Sequence, residues 1–195
     1  MLKRIVMISA TVLFALTHSL AWSTEPAEEE GSPTKKQFGW LEMATIEPWG
    51  VAVKAKLDSG ALTSSMHATQ IEEFEKDGEE WVRFTVDVED EYEDEDVSKT
   101  FELPVHRRLL LRGAGGTDRR PVVLMKLCLK DTVYEEQFSL RDRGDMHYPV
   151  LLGRRTIQSL GLVDVSKNFT HKPSCDESAT VLNYATKEYD EDIGI

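Results

Sequence analysis

The sequence predicts a mostly β domain, a closed barrel of short strands with one short helix. Three observations carry that prediction. Residues Trp81 to Val88 alternate apolar and polar side chains with period two, the mark of a half-buried strand. Several other short apolar runs are punctuated by Gly, Asp and Pro, the residues that turns require. Only the stretch Thr156 to Leu160 suits a helix, and Gly161 stops it. In chain order, Val51 to Leu57 is a strand that runs into Asp58-Ser59-Gly60, and Thr63 to Ala68 resumes extended character. Trp81 to Val88 pairs with Thr100 to Val105 across Glu89 to Asp96, which holds seven acids and one Tyr. That acidic run reads as a solvated hairpin tip, because a calcium loop needs spaced acids and a turn Gly. Arg119 to Leu129 and Val133 to Leu140 form a second pair around Lys130-Asp131. Pro149 to Leu152 is a short, wholly apolar strand ending at Gly153, and Leu162 to Val165 is the last strand. There is no internal repeat.

The chain has 195 residues, enough for one domain with tails, and 23 Lys and Arg against 35 Asp and Glu give a net charge of −12. Such acidity speaks against a general nucleic-acid binder, which needs clustered cations to neutralise phosphates. Residues 1–23 read as an export signal: Lys3 and Arg4 precede the apolar run Ile5 to Leu20, and small residues follow. The run is short for a membrane span, so the expected location is periplasmic or secreted, with no stable membrane insertion once the signal is cleaved; an uncleaved anchor is the alternative. Residues 24–37 form a disordered polar linker, 38–171 the folded domain, and 172–195 an acidic C-terminal tail. Within that tail, Val181, Leu182 and Tyr184 could dock one strand on the body. An exported chain permits a disulfide between Cys128 and Cys175, but two separate thiols fit equally well.

The informative segment is Lys56-Leu57-Asp58-Ser59-Gly60-Ala61, in which an apolar strand delivers a carboxylate to a tight turn. Alone, Asp-Ser-Gly is an ordinary turn sequence. The second element is Tyr148-Pro149-Val150-Leu151-Leu152-Gly153-Arg154, apolar residues followed by Gly-Arg and a short helix. Together they resemble the retroviral-type aspartic proteases, the retropepsins. There an apolar Asp-Thr/Ser-Gly-Ala turn supplies the catalytic carboxylate, and a later apolar Gly-Arg strand packs beside it. The stretch Lys54 to Ala68, with the flanks Gly39-Trp40 and Ile71 to Phe74, is similar to one bacterial branch labelled ATP-dependent zinc proteases. Some members of that branch are associated with glutamate-ligating ATP-grasp enzymes. The resemblance spans about Gly39 to Val165.

The resemblance implies a catalytic role for Asp58, with Ser59 supporting the turn across a dimer, and Gly60 and Ala61 lining the substrate backbone. Leu152, Gly153 and Arg154 form the strand beside the site. The flap that covers retropepsin sites falls on Arg112, Gly113, Gly115 and Gly116. The aspartic mechanism needs two carboxylates sharing one proton and one water, because like charges at contact distance cannot both ionise and their pKa values split. This chain has one Asp-Ser-Gly, and Asp142 and Asp145 lack the preceding apolar strand. An active enzyme of this kind is therefore a homodimer with Asp58 from each copy at a two-fold axis.

Charge adds a separate expectation. Nine of the eleven Arg lie between Arg107 and Arg155, a window with eleven Lys and Arg against six Asp and Glu. If these face the cleft, the substrate is an acidic, glutamate-rich peptide; if they pair with the domain's own acids, the asymmetry is structural. No cofactor or metal is expected, because there is no phosphate-cradling Gly-Lys-Ser/Thr loop, no HExxH, and no helical His pair. His67, nine residues past Asp58, reads as a structural or polar-rim residue. Two rival readings stand beside the peptidase. One is a non-catalytic binding module of the same fold in the cell envelope, and the other is the zinc-dependent hydrolase of the branch's label.

Overall fold

The structure, a computed structural model, describes residues 35–113 and 116–188. The expected signal, the linker up to Thr34, Gly115 of the expected flap, and the acidic end of the tail lie outside the described residues. The described strands are β1 (Gln37–Glu47), β2 (Val51–Leu57), β3 (Ser64–His67), β4 (Thr69–Lys76), β5 (Glu79–Asp90) and β6 (Glu95–Pro104), followed by β7 (Arg107–Gly113) and β8 (Gly116–Leu129). Then come β9 (Thr132–Arg141), β10 (Val150–Leu152), helix α1 (Arg154–Leu160), β11 (Leu162–Asn168) and β12 (Thr180–Leu182).

The larger sheet runs β11-β1-β2-β10-β3-β9-β8-β7, and β1 also pairs with β8. The strands β1, β2, β10, β3, β9 and β8 thereby close into a ring. Its interior is filled by Val53, Ala55 and Leu57 of β2, Met66 of β3, Phe138 and Leu140 of β9, Val123 of β8, and Val150 and Leu152 of β10. Period two then sends Lys54 and Lys56 to the other face of β2, and Asp58 follows them at the strand's end.

β4, β5 and β6 form a separate three-stranded sheet, with the hairpin β5–β6 in the register Phe84↔Phe101. Val82, Phe84, Val86 and Val88 point into the core, where Phe84 stacks on Phe101 and Trp49 meets Phe101 edge-on. Each such buried side chain contributes about 1.5–3 kcal/mol. Residues 69–104 hold fifteen acids and three basic residues, so this sheet carries much of the chain's acidity. The basic window from Arg107 to Arg155 falls on the larger sheet and the start of the helix.

Two strands carry no clear mark in the sequence. β1 buries Glu42 between Phe38 and Ala44, which breaks the alternation that would otherwise reveal it. Glu42 is held by the Gly39 N–H and the Thr170 hydroxyl. β4 is largely exposed and polar, and it is strand because β5 pairs with it. The region read as a tail from 172 is also more ordered than a loose tail as far as it is described. Cys128 and Cys175 form a disulfide, and β12 adds parallel to β9 in the register Val181↔Val133.

Candidate active site

The Asp58 turn is built from main-chain bonds. The Asp58 N–H donates to the Leu152 carbonyl at 2.8 Å, continuing the parallel pairing of β2 with β10. Gly60 N–H donates to Asp58 Oδ1 at 2.9 Å, and Ala61 N–H donates to the Asp58 carbonyl at 3.2 Å. On the other side, Arg154 N–H donates to the Ala61 carbonyl and Arg155 N–H to the Leu62 carbonyl. The Arg154 guanidinium donates to the Ser59 carbonyl at 2.8 Å. The two motifs read from the sequence, 95 residues apart at Ser59 and Arg154, are thus one locked unit. Gly153 is required there: a Cβ would lie 2.8 Å from the Leu62 carbonyl carbon and oxygen. Its N–H donates to the Ser64 hydroxyl at 3.0 Å.

The Asp58 carboxylate is 27% exposed, so a ligand can reach it. Burial pushes its pKa up, but the Lys56 ammonium at 3.1 Å and the N–H groups of Gly60 and Ala61 outweigh that effect and hold it below the usual carboxylate range. Lys56 carried no functional expectation from the sequence, although the i, i+2 spacing on a strand puts both side chains on one face.

Arg143 is a second residue that the sequence did not single out. It is buried, its Nε donates to the Tyr148 carbonyl at 3.2 Å, and its main-chain N–H donates to His67 Nδ1 at 2.9 Å. Burial lowers its pKa, and the neighbouring Arg141 and Arg120 lower it further, while Asp58 raises it. His67 therefore serves the loop that carries Arg143, in line with the structural role expected for it. Asp142 accepts from the Gly144 N–H and lies 3.7 Å from His67 Nδ1. Ser65 is paired with Leu151 of β10 and Ser139 of β9, and its buried hydroxyl has no hydrogen-bond partner among the described residues.

The arginine window divides between its two expected uses. Arg108 pairs with Glu73 and Glu80, and Arg120 with Asp118, as structural salt bridges. Arg107 instead bonds neutral groups, Gln137 and Thr63, and no carboxylate among the described residues forms an ion pair with Arg107, Arg141 or Arg143. The expected flap is the β7–β8 hairpin, with Arg112 opposite Thr117 and Gly113 opposite Gly116. Arg107 ties the base of that hairpin to Thr63, just past the Asp58 turn. The histidines are scattered: His67 meets Arg143, His106 meets Tyr184, His147 meets Tyr148 and His171 meets Phe38. Among the described residues no three His, Cys, Asp or Glu are grouped as metal ligands.

A family model described as "Retropepsin-like aspartic endopeptidase RimB" matches residues 37–174, both halves of the locked turn included. The chain belongs to the RimB-like family of retropepsin-like aspartic endopeptidases. Curated relatives of this RimB-like chain include a protein of Desulfotalea psychrophila named "Probable alpha-L-glutamate ligase", 33% identical over 67% of this chain and 28% of the relative. One of Shewanella pealeana bears the same name and is 34% identical over 71% of this chain and 30% of the relative. The RimB-like chain thus spans less than a third of the length of these relatives. A crystal structure of a Legionella pneumophila protein of unknown function shares the fold at 34% identity, with a TM-score of 0.59, covering 72% of this chain and all of that one.

Proposed function

We propose that this protein is an exported, homodimeric aspartic-type peptidase that hydrolyses amide bonds in acidic peptides. The observation that carries the reading is the Asp58 carboxylate, partly open to solvent on a strand-end turn that Leu152, Gly153 and Arg154 lock from the neighbouring strand. Asp58 of a second copy supplies the other half of the dyad. One carboxylate takes a proton from the attacking water while the other, protonated, donates to the scissile carbonyl. Two like charges at contact distance cannot both ionise, so the pair holds one proton between them. Ser59, Gly60 and Ala61 shape the turn, and the β7–β8 hairpin, with Arg112, Gly113 and Gly116 at its described end, covers the substrate.

Acidic specificity is supported by Arg143 and Arg141, which form no ion pair with a carboxylate among the described residues, and by the orphaned Ser65 hydroxyl. The relatives' name also concerns glutamate, a substrate carrying the matching charge. Export is supported by the Cys128–Cys175 disulfide, a bond that persists in oxidising compartments. The test measures cleavage of glutamate-rich and neutral peptides by wild type, Asp58→Asn and Asp58→Ala, with sedimentation equilibrium on each. The expected result is a dimer, with hydrolysis lost by about a thousandfold or more in both variants. Undiminished cleavage by Asp58→Asn would remove Asp58 from the mechanism, and a monomer without hydrolysis would favour a binding module.

A further inference from the structure

Behind the Asp58 turn runs a directed chain of hydrogen bonds that ends in the C-terminal segment. The Gly153 N–H donates to Ser64 Oγ at 3.0 Å. Ser64 Oγ lies 2.7 Å from Thr156 Oγ1, and Thr156 Oγ1 donates to Glu136 Oε2 at 3.2 Å. Glu136 is buried to 2% exposure on β9, and the Lys187 ammonium forms an ion pair with its other oxygen. An ionised carboxylate only accepts, and a hydroxyl carries one proton. With the Thr156 proton committed to Glu136, the Ser64 proton goes to Thr156 and the Ser64 lone pairs face Gly153. The charge at the end of the chain thus decides the Ser64–Thr156 bond, the one link in which either oxygen could donate, and bonds in such chains polarise one another.

Lys187 reaches this place because its segment is pinned at several points. Cys175 is bonded to Cys128 and Ser174 N–H donates to the Lys130 carbonyl. β12 pairs with β9, and Tyr184 N–H donates to Glu135 Oε2 at 3.0 Å. Lys187 Nζ also donates to the Glu135 carbonyl at 2.7 Å. Gln137, next to Glu136, donates to the Tyr184 hydroxyl. A carboxylate taken out of water is costly unless it is paired, and here its cation comes from outside the ring of strands.

We propose that Glu136 and Lys187 are positioning residues for the Asp58 turn, and that the disulfide-pinned C-terminal segment is a working part of the site. Through Lys187 the segment holds the carboxylate that anchors the far end of the chain from Gly153, whose neighbour Leu152 holds the Asp58 N–H. This rests on the reading of Asp58 as the catalytic carboxylate, but its test does not need turnover.

The experiment is amide hydrogen exchange on the purified protein, followed at Asp58, Gly153 and the β12 segment. Lys187→Met removes the ammonium that fixes one oxygen of the Glu136 carboxylate, and exchange at Asp58 and Gly153 should quicken about tenfold, the loss of roughly one hydrogen bond. Adding Glu136→Gln, which keeps an acceptor for Thr156 and removes the charge, should restore wild-type exchange. Lys187→Arg should leave it unchanged. Quickening confined to residues 180–187, with Asp58 and Gly153 unaffected, would overturn the proposal and leave the segment a mere brace. Should Lys187→Met not fold, the double variant decides: the proposal requires wild-type exchange at Gly153, and faster exchange there overturns it. Where hydrolysis is present, Lys187→Met should lower kcat with KM unchanged, because the segment does not touch substrate. Absence of hydrolysis in wild type would sink the peptidase reading and leave the exchange result intact.

Discussion

Lys56 Nζ lies 3.1 Å from Asp58 Oδ2, two residues back on the same face of β2. A cation this close favours the ionised carboxylate, and the Asp58 pKa is lowered against the opposing effect of burial. In a dyad of two such groups, both macroscopic ionisations feel the cation. Removing it raises both, so the bell-shaped rate profile of Lys56→Met should move to higher pH than that of wild type. A pH profile of kcat/KM measures this. A profile that stays in place, or moves toward acid, would mean that Lys56 is turned away from the proposed dyad.

Gly153 is where the two halves of the turn touch. An added Cβ meets backbone atoms of Leu62 and Thr63 at 2.8 Å, and backbone cannot swing aside as a side chain can. Gly153→Ala should therefore displace the Asp58–Leu152 bond, with a stability loss of about 1–3 kcal/mol and a larger proportional loss of hydrolysis. Urea unfolding beside a cleavage assay separates the two effects.

The disulfide closes a loop with a sequence separation of 47 residues. Chain entropy alone assigns such a loop about 4 kcal/mol. Cys175→Ser should lower the urea midpoint accordingly, and wild type treated with a dithiol reductant should unfold like the variant. Equal midpoints for oxidised wild type and Cys175→Ser would mean that the bond contributes nothing to the folded protein.

Arg143 is buried with its guanidinium on a carbonyl and its N–H on His67, and the Ser65 hydroxyl is without a hydrogen-bond partner among the described residues. Arg143→Leu should reduce kcat/KM for a glutamate-rich peptide about 10- to 100-fold, the worth of one charged hydrogen bond, and spare a neutral peptide. Equal losses on both would reassign Arg143 to loop structure. A smaller, parallel loss is expected for Ser65→Ala.

Much of this was open to a reading of residues in order. Strand periodicity located β5, β8, β9 and β10, because a half-buried strand must alternate and a fully buried one must be apolar. The candidate carboxylate was legible because a turn motif and a Gly-Arg strand occur in a fixed order, and the structure joins them through Asp58–Leu152 and Arg154–Ser59. β1 was hidden by its buried Glu42, whose partners at Gly39, Thr170 and His171 come from both ends of the domain.

Local spacing and composition were enough to establish the mostly β architecture, the single motif carboxylate and the basic window from Arg107 to Arg155. A chain carries these properties with it, folded or not. The folded arrangement was needed to tell which arginines are spent on Glu73, Glu80 and Asp118, and which form no carboxylate pair among the described residues. It also brought Lys187 to Glu136, 51 residues away, and made the expected tail part of the site's support. The physical reason is that the behaviour of a charge is defined by what surrounds it: burial and partners come from distant strands, and no local pattern encodes them.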